Sequence, residues 1–289
     1  MAEKTRIFAV VNQKGGVGKT TTSITVAYEL ARLCRQDPQP GAPSEHVLIV
    51  DFDSQGNCAH ALGVAPNGKN LANVLLGNGS VRDNLINVDR RDDGLPRPNL
   101  WLLPSDQQLA AVKTRLIMRE AVQSAMSMME LDQSQEQVPI VEVMRAEIGP
   151  IAGRFAYVLI DCPPSHDAFM NAVYNLVQAA IVPVKVDYLS TVGAAQNIEN
   201  IRKAQMSGID VRIHTVVPTF YVQRQVQDNM MLEALQNAYG VRTVAEPIPR
   251  SQPVAEASAS GGMTLQEYAP DSPATQAYRK LAERLYYEQ

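Results

Sequence analysis

Two lysines in a glycine-rich stretch form the part of this sequence best suited to bind an anion. The stretch follows the apolar run 7–11 and precedes a helical pattern. Glycines allow backbone N–H groups to turn toward one anion, and the N-terminus of the following helix adds positive potential. We therefore predict a phosphate-binding loop, in which Lys19 contacts the β- and γ-phosphates and the Thr20 hydroxyl binds Mg²⁺. The loop residues are Lys14, Gly15, Gly16, Val17, Gly18, Lys19, Thr20 and Thr21.

Aspartates follow or end two other apolar runs. Asp51 and Asp53 come directly after residues 47–50, and Asp161 ends the run 155–161. Carboxylates at the C-terminal ends of parallel strands lie where open α/β sheets bind ligands, and side chains at i and i+2 can face the same cleft. An apolar strand that ends in Asp is the Walker B arrangement, so Asp161 is predicted to help hold Mg²⁺ through water. Taken alone, the segment after residue 50 also fits a solvated turn before a helix.

The composition limits the possible functions only broadly. The chain has 289 residues, of which 45% are apolar and 19% charged, as in ordinary globular proteins. No apolar stretch approaches a membrane span and the N-terminus lacks a signal-peptide pattern, so we expect a cytoplasmic protein. Cys34, Cys58 and Cys162 lack Cys-x-x-Cys spacing, which indicates reduced thiols. The net charge of −4 argues against a surface that coats nucleic acid, although a local basic patch needs only a few Arg and Lys.

Apolar runs and helical patterns alternate along the chain. Strands are predicted at 7–11, 47–50, 100–105, 155–161, 180–184, 211–217 and, with a loop, 243–250; helices at 71–76, 107–125, 138–148, 192–206, 223–238 and 274–287; and polar loops at 36–46 and 89–94. This order predicts an α/β fold with a doubly wound, mostly parallel sheet and helices on both faces. No Gly/Ser linker divides residues 1–289, so we predict a single domain. The cluster Met126, Met128 and Met129 is assigned to the core.

Several ordered motifs together resemble one known family. Lys-Gly-Gly-Val-Gly-Lys-Thr at 14–20 resembles the deviant Walker A box of the ParA/MinD family of ATPases, because Gln13 stands where the strict pattern G-x-x-x-x-G-K-[ST] has its first glycine. Residues 51–57 resemble its D-x-D-P-Q-G-N box, with Ser54 in place of proline. The stretches 161–165, 248–257 and 272–282 match its D-x-P-P-S, I-P-R-x(5)-E-A and S-x-x-x-x-A-Y-x-x-L-A patterns. The resemblance to ParA/Soj-type partition ATPases covers nearly the whole chain.

This resemblance implies a P-loop NTPase fold and slow, partner-stimulated hydrolysis of ATP to ADP and phosphate. By resemblance, Lys14 crosses a homodimer interface to the partner's nucleotide, and Asp53 orients the attacking water. Asp51 would hold a water on Mg²⁺, beside Thr20 and Asp161. Thr219 and Pro249 match the residues that flank the adenine.

The family also implies partners. Its members bind DNA without sequence preference once ATP has closed the dimer, and a ParB-type adaptor stimulates hydrolysis. Arg224 matches one family arginine of the DNA surface, whereas Pro253 stands at the position of a second. Arg250 is a candidate to compensate, as are Arg202, Lys203 and Arg242. Taken singly, each of these bases is better interpreted as an ordinary solvated charge. A nucleoid-associated protein that segregates or positions plasmid, chromosome or protein cargo is therefore expected.

The alternative is a MinD-like positioning ATPase bound to a membrane. That type ends in a basic amphipathic helix beyond the domain. Here residues 285–289 are predicted to belong to the packing helix and carry mixed charges, so no membrane partner is expected. An iron–sulfur scaffold would need paired cysteines, and Tyr278 lies in the family tail rather than in a kinase-type tyrosine cluster.

Overall fold

The computed structural model describes residues 5–89, 96–97, 99–128, 139–165, 168–187, 199–260 and 262–288. Its strands are β1 (Arg6–Val10), β2 (Val47–Asp51), β3 (Ile86–Asn87), β4 (Leu100–Leu103), β5 (Tyr157–Asp161), β6 (Ala179–Lys185) and β7 (Arg212–Thr219). They form one sheet in the order β3-β4-β2-β5-β1-β6-β7. The pairings among β1, β2, β4, β5, β6 and β7 are parallel, and β3 is antiparallel to β4. The predicted mostly parallel α/β fold is therefore confirmed.

The helices connect these strands. They are α1 (Lys19–Gln36), α2 (Asn57–Leu62), α3 (Leu71–Leu75), α4 (Val81–Asn84), α5 (Gln108–Met128), α6 (Ile140–Ala152), α7 (Ala168–Leu176), α8 (199–206), α9 (Val226–Tyr239), α10 (Gln252–Ala259), α11 (Leu265–Tyr268) and α12 (Pro273–Tyr287). None of the helices in the described part of the chain combines the length and apolar character needed to cross a bilayer.

Alternate residues of the central strands pack into two separate cores. Ala9 and Val158 face a core built with α3, α5, α6 and α7. Phe8 and Leu159 face the opposite core, where α1 and α12 lie. Side chains alternate across a strand, so a strand buried on both faces must be apolar throughout. This explains why β2 and β5 appear in the sequence as continuous apolar runs rather than alternating ones, and it shows the doubly wound arrangement.

The predicted elements agree with the structure except in a few places. The predicted strand in 243–250 is wrong: the segment makes only isolated bridges, Val216 to Val244 and Tyr221 to Pro249. Pro247 and Pro249 lack the N–H that a continued ladder needs. The elements β3, α2, α4, α7, α10 and α11 were not predicted. Most of them are so short that they carry no clear periodicity.

The core assignment of the methionine cluster is also wrong where it can be checked. Met126 is 39% exposed, and Met118 and Val122 are more exposed still. These residues lie four apart on the outer face of α5, so they share one solvent-facing stripe. The side chain of Met128, and all of Met129, fall outside the described residues, as do most of the predicted loop 89–94 and the first part of the predicted helix 192–206. The single-domain assignment stays a prediction.

Candidate phosphate and metal site

The predicted phosphate loop lies between the end of β1 and the start of α1. Gly16 and Gly18 have φ of 69° and 91°, a region that L side chains rarely adopt. The Asn12 side-chain amide donates to the Pro183 carbonyl at 2.7 Å, and the Lys14 N–H donates to Asn12 Oδ1 at 2.9 Å. The beginning of the loop is therefore tied to strand β6, and the glycines supply the turn that the motif requires.

Lys19 lies inside the curve of this loop. Its Nζ donates to the Lys14 carbonyl at 3.0 Å, and the residue is only 8% exposed. Burial lowers the pKa of Lys19, although the carboxylates of Asp161 and Asp53 oppose that shift. A cation held against a backbone carbonyl can exchange that oxygen for a phosphate oxygen without moving far.

Asp161 is the centre of a buried hydrogen-bond network. The Thr20 hydroxyl donates to Asp161 Oδ2 at 2.7 Å, and the Ser23 hydroxyl donates to Oδ1 at 2.8 Å. The Cys58 thiol lies 3.5 Å from Oδ2 and donates to it. Sequence reasoning treated Cys58 only as a reduced thiol and missed Ser23. Cys58 comes one residue after the segment 51–57, and Ser23 lies one helical turn after Lys19. These positions were the sequence signals that could have identified them.

Asp51 and Asp161 stand side by side because β2 and β5 pair in parallel, with the two aspartates as Cα partners. Asp51 is fully buried and accepts the N–H groups of Asp53 at 3.0 Å and Cys58 at 3.1 Å. Burial, and then the neighbouring carboxylate of Asp161, raise the pKa of Asp51; burial also raises the pKa of Asp161. Two buried carboxylates and the Thr20 hydroxyl form a hard oxygen donor set that suits Mg²⁺.

Asp53 lies at the rim of this site rather than inside it. The residue is half-buried, and Oδ1 accepts the Gln55 N–H at 3.0 Å. The turn that follows depends on Gly56, whose φ is 65° and where a Cβ would approach the Ser105 carbonyl to 2.6 Å. The loop is therefore packed tightly against the segment that joins β4 to α5.

Lys14 points away from Lys19. Its Nζ lies 3.1 Å from Asp187 Oδ1, and Lys185 Nζ lies 2.9 Å from Oδ2 of the same carboxylate. The side chains of Lys14 and Asp187 are 34% and 32% exposed. The two lysines of the loop thus occupy different environments, one interior and one at the surface.

Thr219 and Pro249 reach the same edge of the sheet. The buried Thr219 hydroxyl donates to the Val17 carbonyl at 2.9 Å, and Pro249 bridges to Tyr221. Phe220, which sequence reasoning missed, has φ of 58° and places its ring about 4.0 Å from where a Cβ on Gly18 would lie. A non-glycine residue in this region carries backbone strain, which is often found at binding sites.

A cleft of about 650 Å³ opens beside the loop, lined among others by Gly16, Lys185, Phe220 and Arg250. Arg224, the other predicted DNA contact, is exposed. Pro253 lies in the first turn of α10. The remaining candidate bases, Arg202, Lys203 and Arg242, are exposed, and Lys203 pairs with Glu199 at 2.9 Å. Of the predicted DNA-binding residues, the structure therefore places Arg250 at the cleft, and the other four bases do not line it.

Comparison with known proteins places this geometry in a family. A family model described as an AAA domain matches residues 5–213. The chromosome partitioning protein ParA of Caulobacter vibrioides is 31% identical over 284 residues, which cover 97% of this chain and 94% of that protein. The chain belongs to the ParA/Soj family of deviant Walker A ATPases.

A second relative and a solved structure are also similar to this chain. The chromosome-partitioning ATPase Soj of Thermus thermophilus is 28% identical, over 98% of this chain and 96% of that protein. Among solved structures, a cobyrinic acid a,c-diamide synthase of Mycobacterium smegmatis, with bound ATP analog and magnesium, is 26% identical with a TM-score of 0.71. The match covers 98% of this chain and 94% of that one. The family resemblance predicted from the motifs is confirmed.

Proposed function

We propose that this ParA-family chain is an ATP-hydrolysing switch, which dimerises around MgATP and then holds DNA without sequence preference to segregate or position a cargo. The observation that carries the proposal is the different environment of the two lysines. Lys19 is buried within its own loop, whereas Lys14 stands at the surface in a screened ion pair. A surface lysine beside the phosphates is suited to reach the nucleotide of a second subunit.

The nucleotide phosphates bind along residues 14–21, with Lys19 replacing its contact to the Lys14 carbonyl by contacts to the β- and γ-phosphates. Thr20, Asp51 and Asp161 hold Mg²⁺, which when bound neutralises charge on the phosphates. The raised pKa of both buried aspartates supports this role, because a divalent cation would relieve the repulsion between them.

Hydrolysis requires one water placed in line with the γ-phosphate. Asp53 lies at the rim of the metal site, and its carboxylate orients that water and takes up its proton. The bond between water oxygen and γ-phosphorus forms as the bond to the β–γ bridging oxygen breaks, which yields ADP and phosphate. Lys14 of the second subunit and Lys19 stabilise the charge that develops on the leaving oxygens. Without that second lysine the site is incomplete, so a slow basal rate, stimulated by a ParB-type adaptor, is expected.

A membrane-bound role finds less support. The apolar face of α12, which includes Tyr278, Leu281 and Leu285, is buried in the core against α1. An amphipathic helix that binds lipid must expose that face. The burial of this face supports a packing role for α12.

Binding to a random-sequence DNA duplex tests the proposal. The measurement compares ATP, ADP and no nucleotide across a salt series, with Arg224→Ala and Arg250→Ala beside a control, Arg154→Ala, whose exposed side chain precedes β5 at the opposite edge of the sheet. We expect binding only with ATP, a steep loss with salt, and weaker binding for the first two variants. Absence of binding at low salt, with ATP occupancy proven by co-sedimentation, would refute the DNA role.

A further inference from the structure

Lys113 is a buried cation that none of the recognised motifs explains. It lies in α5 and is 8% exposed. Its Nζ donates to the Phe52 carbonyl at 2.6 Å. Phe52 is the residue between Asp51 and Asp53, so a helix far along the chain contacts the backbone of the segment that carries both carboxylates. Burying an ammonium is costly unless it is hydrogen-bonded, which makes this contact structurally significant.

Two aromatic rings also lie close to this ammonium. Lys113 Nζ lies 4.8 Å from the centre of the Phe52 ring and 5.8 Å from that of Phe169. Both distances allow a cation–π attraction. Phe169 belongs to α7, which follows the loop after Asp161. The ammonium therefore joins α5 to the segments that follow both metal-binding strands.

The peptide bond between Phe52 and Asp53 is held at both of its polar atoms. Its carbonyl accepts from Lys113, and its N–H donates to Asp51 Oδ1 at 3.0 Å. The carbonyl oxygen and amide hydrogen of a trans peptide lie on opposite sides of one rigid plane. Rotation of this plane, which would re-aim the Asp53 side chain, must break both hydrogen bonds.

The same part of the chain supports the segment at a second point. The Ser105 carbonyl, between β4 and α5, would lie only 2.6 Å from a Cβ on Gly56. The turn 51–56 is thus contacted near its beginning by Lys113 and at its end by Ser105. Contacts at both ends restrict the positions that Asp53 can take.

We propose that Lys113 is a positioning residue for ATP hydrolysis: it holds the Phe52 carbonyl and so sets the direction in which Asp53 presents its carboxylate to the attacking water. The role rests on the proposed ATPase activity. Lys113 contacts the backbone behind Asp53 rather than the phosphate loop. Its loss therefore changes the rate of hydrolysis and not the affinity for the nucleotide.

The test uses Lys113→Met, which keeps the length of the apolar stem but removes the ammonium. The matched control is Lys69→Met, because Lys69 Nζ also donates to a backbone carbonyl, that of Leu85, at 2.8 Å. The measurements are the Kd for a fluorescent ATP analogue with Mg²⁺, single-turnover hydrolysis, and Tm. We expect Lys113→Met to lower kcat about 10- to 100-fold, as misplacement of a catalytic group does, with Kd within about twofold. Lys69→Met keeps the wild-type kcat.

A conservative variant separates positioning from simple packing. Lys113→Arg retains a donor and a charge, so we expect it to recover part of the lost rate. A wild-type kcat in Lys113→Met, or equal losses of kcat and affinity, would overturn the proposal, whatever the change in Tm. If Lys113→Met does not fold, Lys113→Gln replaces it under the same criteria, because its amide is too short to reach Phe52.

The two proposals can fail separately. A wild-type protein that binds ATP but does not hydrolyse it would refute the proposed ATPase and this role with it. A Lys113→Met variant as active as an active wild type refutes this role alone.

Discussion

The Nζ atom of Lys14 lies 3.1 Å from Oδ1 of Asp187, a carboxylate that follows β6 and is 173 residues away along the chain. Lys14, the surface lysine of the predicted phosphate loop, is therefore paired within its own chain. About a third of each side chain remains exposed. Solvent-screened pairs of this kind contribute about 0–1 kcal/mol, so Lys14 can exchange Asp187 for a phosphate at little cost.

Replacing Asp187 should therefore favour the ATP-bound dimer. We expect Asp187→Asn to dimerise with ATP at protein concentrations about two- to fivefold lower than the wild type, which corresponds to the loss of a competing surface pair. Sedimentation velocity with ATP measures this. Lys14→Ala is the control, and should bind ATP without forming the dimer. Weaker dimerisation of Asp187→Asn would show that Asp187 supports the interface instead.

Loss of Lys19 should abolish nucleotide binding. The Lys19→Ala variant lacks the one cation inside the curve of the described loop, so we expect the affinity for MgATP to fall at least about 100-fold. Isothermal titration calorimetry gives the Kd. Lys69→Ala removes a lysine that contacts the Leu85 carbonyl instead of the loop, so it should bind as the wild type does. Retained tight binding by Lys19→Ala would contradict the phosphate-loop assignment.

Asp53 should matter for hydrolysis but not for binding. Asp53 sits at the rim and accepts only a local backbone N–H in the described network, so its removal should leave the phosphate loop unchanged. We expect Asp53→Ala to bind ATP and dimerise, with phosphate release at least about 100-fold slower. A wild-type rate of phosphate release would exclude Asp53 as the residue that positions water.

The buried aspartates should make the metal-free protein sensitive to high pH. Burial raises the pKa of both, and the neighbouring Asp161 carboxylate raises that of Asp51 further, so the folded state holds these protons more tightly than the unfolded chain does. The stability that these two groups contribute is fully present below the unfolded pKa of about 3.9 and is lost as the pH rises through the higher folded values. The contribution has the opposite sign to that of an ordinary salt-bridged aspartate.

Asp161→Asn tests this pH dependence. The Thr20 and Ser23 hydroxyls can rotate to suit an amide, so the variant should fold. In EDTA, we expect its Tm to fall less between about pH 5 and about pH 8 than the wild-type Tm does. Mg²⁺ should raise the wild-type Tm at the higher pH and leave that of Asp161→Asn unchanged. If Tm depends on pH in the same way in the two proteins, the titration of Asp161 is not the cause of the pH dependence.

Breaking a buried ion pair outside the site should lower the free energy of unfolding. Arg97 Nε lies 2.6 Å from Glu267 Oε1, and the two side chains are 0% and 4% exposed. Glu267→Gln leaves a buried guanidinium without its charge partner, so we expect a loss of about 3–5 kcal/mol in the free energy of unfolding. Urea unfolding measures it. The double variant Arg97→Met/Glu267→Leu should recover most of that loss, and a stability no better than Glu267→Gln would count against the explanation.

Local features of this protein were determined by its sequence alone. The phosphate loop needs glycines, lysines and a threonine within a few residues of each other, and all lie in one stretch. The placement of Asp51 and Asp161 at the ligand-binding edge also followed from the sequence, because parallel strands bring their carboxyl ends to one edge of a sheet. That the two are direct neighbours depends on the strand order, in which β2 pairs with β5. The main strands could be predicted because a strand buried on both faces is apolar throughout.

Tertiary structure decided the contacts between distant segments. The pairing of Lys14 with Asp187, the Cys58 thiol beside Asp161, and Lys113 on the Phe52 carbonyl each depend on how helices pack on the sheet. A helical pattern shows which residues share a face, but hydrophobicity alone did not show that Met126 faces solvent rather than the core. Pairings of this kind are set by packing across the whole fold, since the energy of each contact depends on neighbours that are remote in the chain.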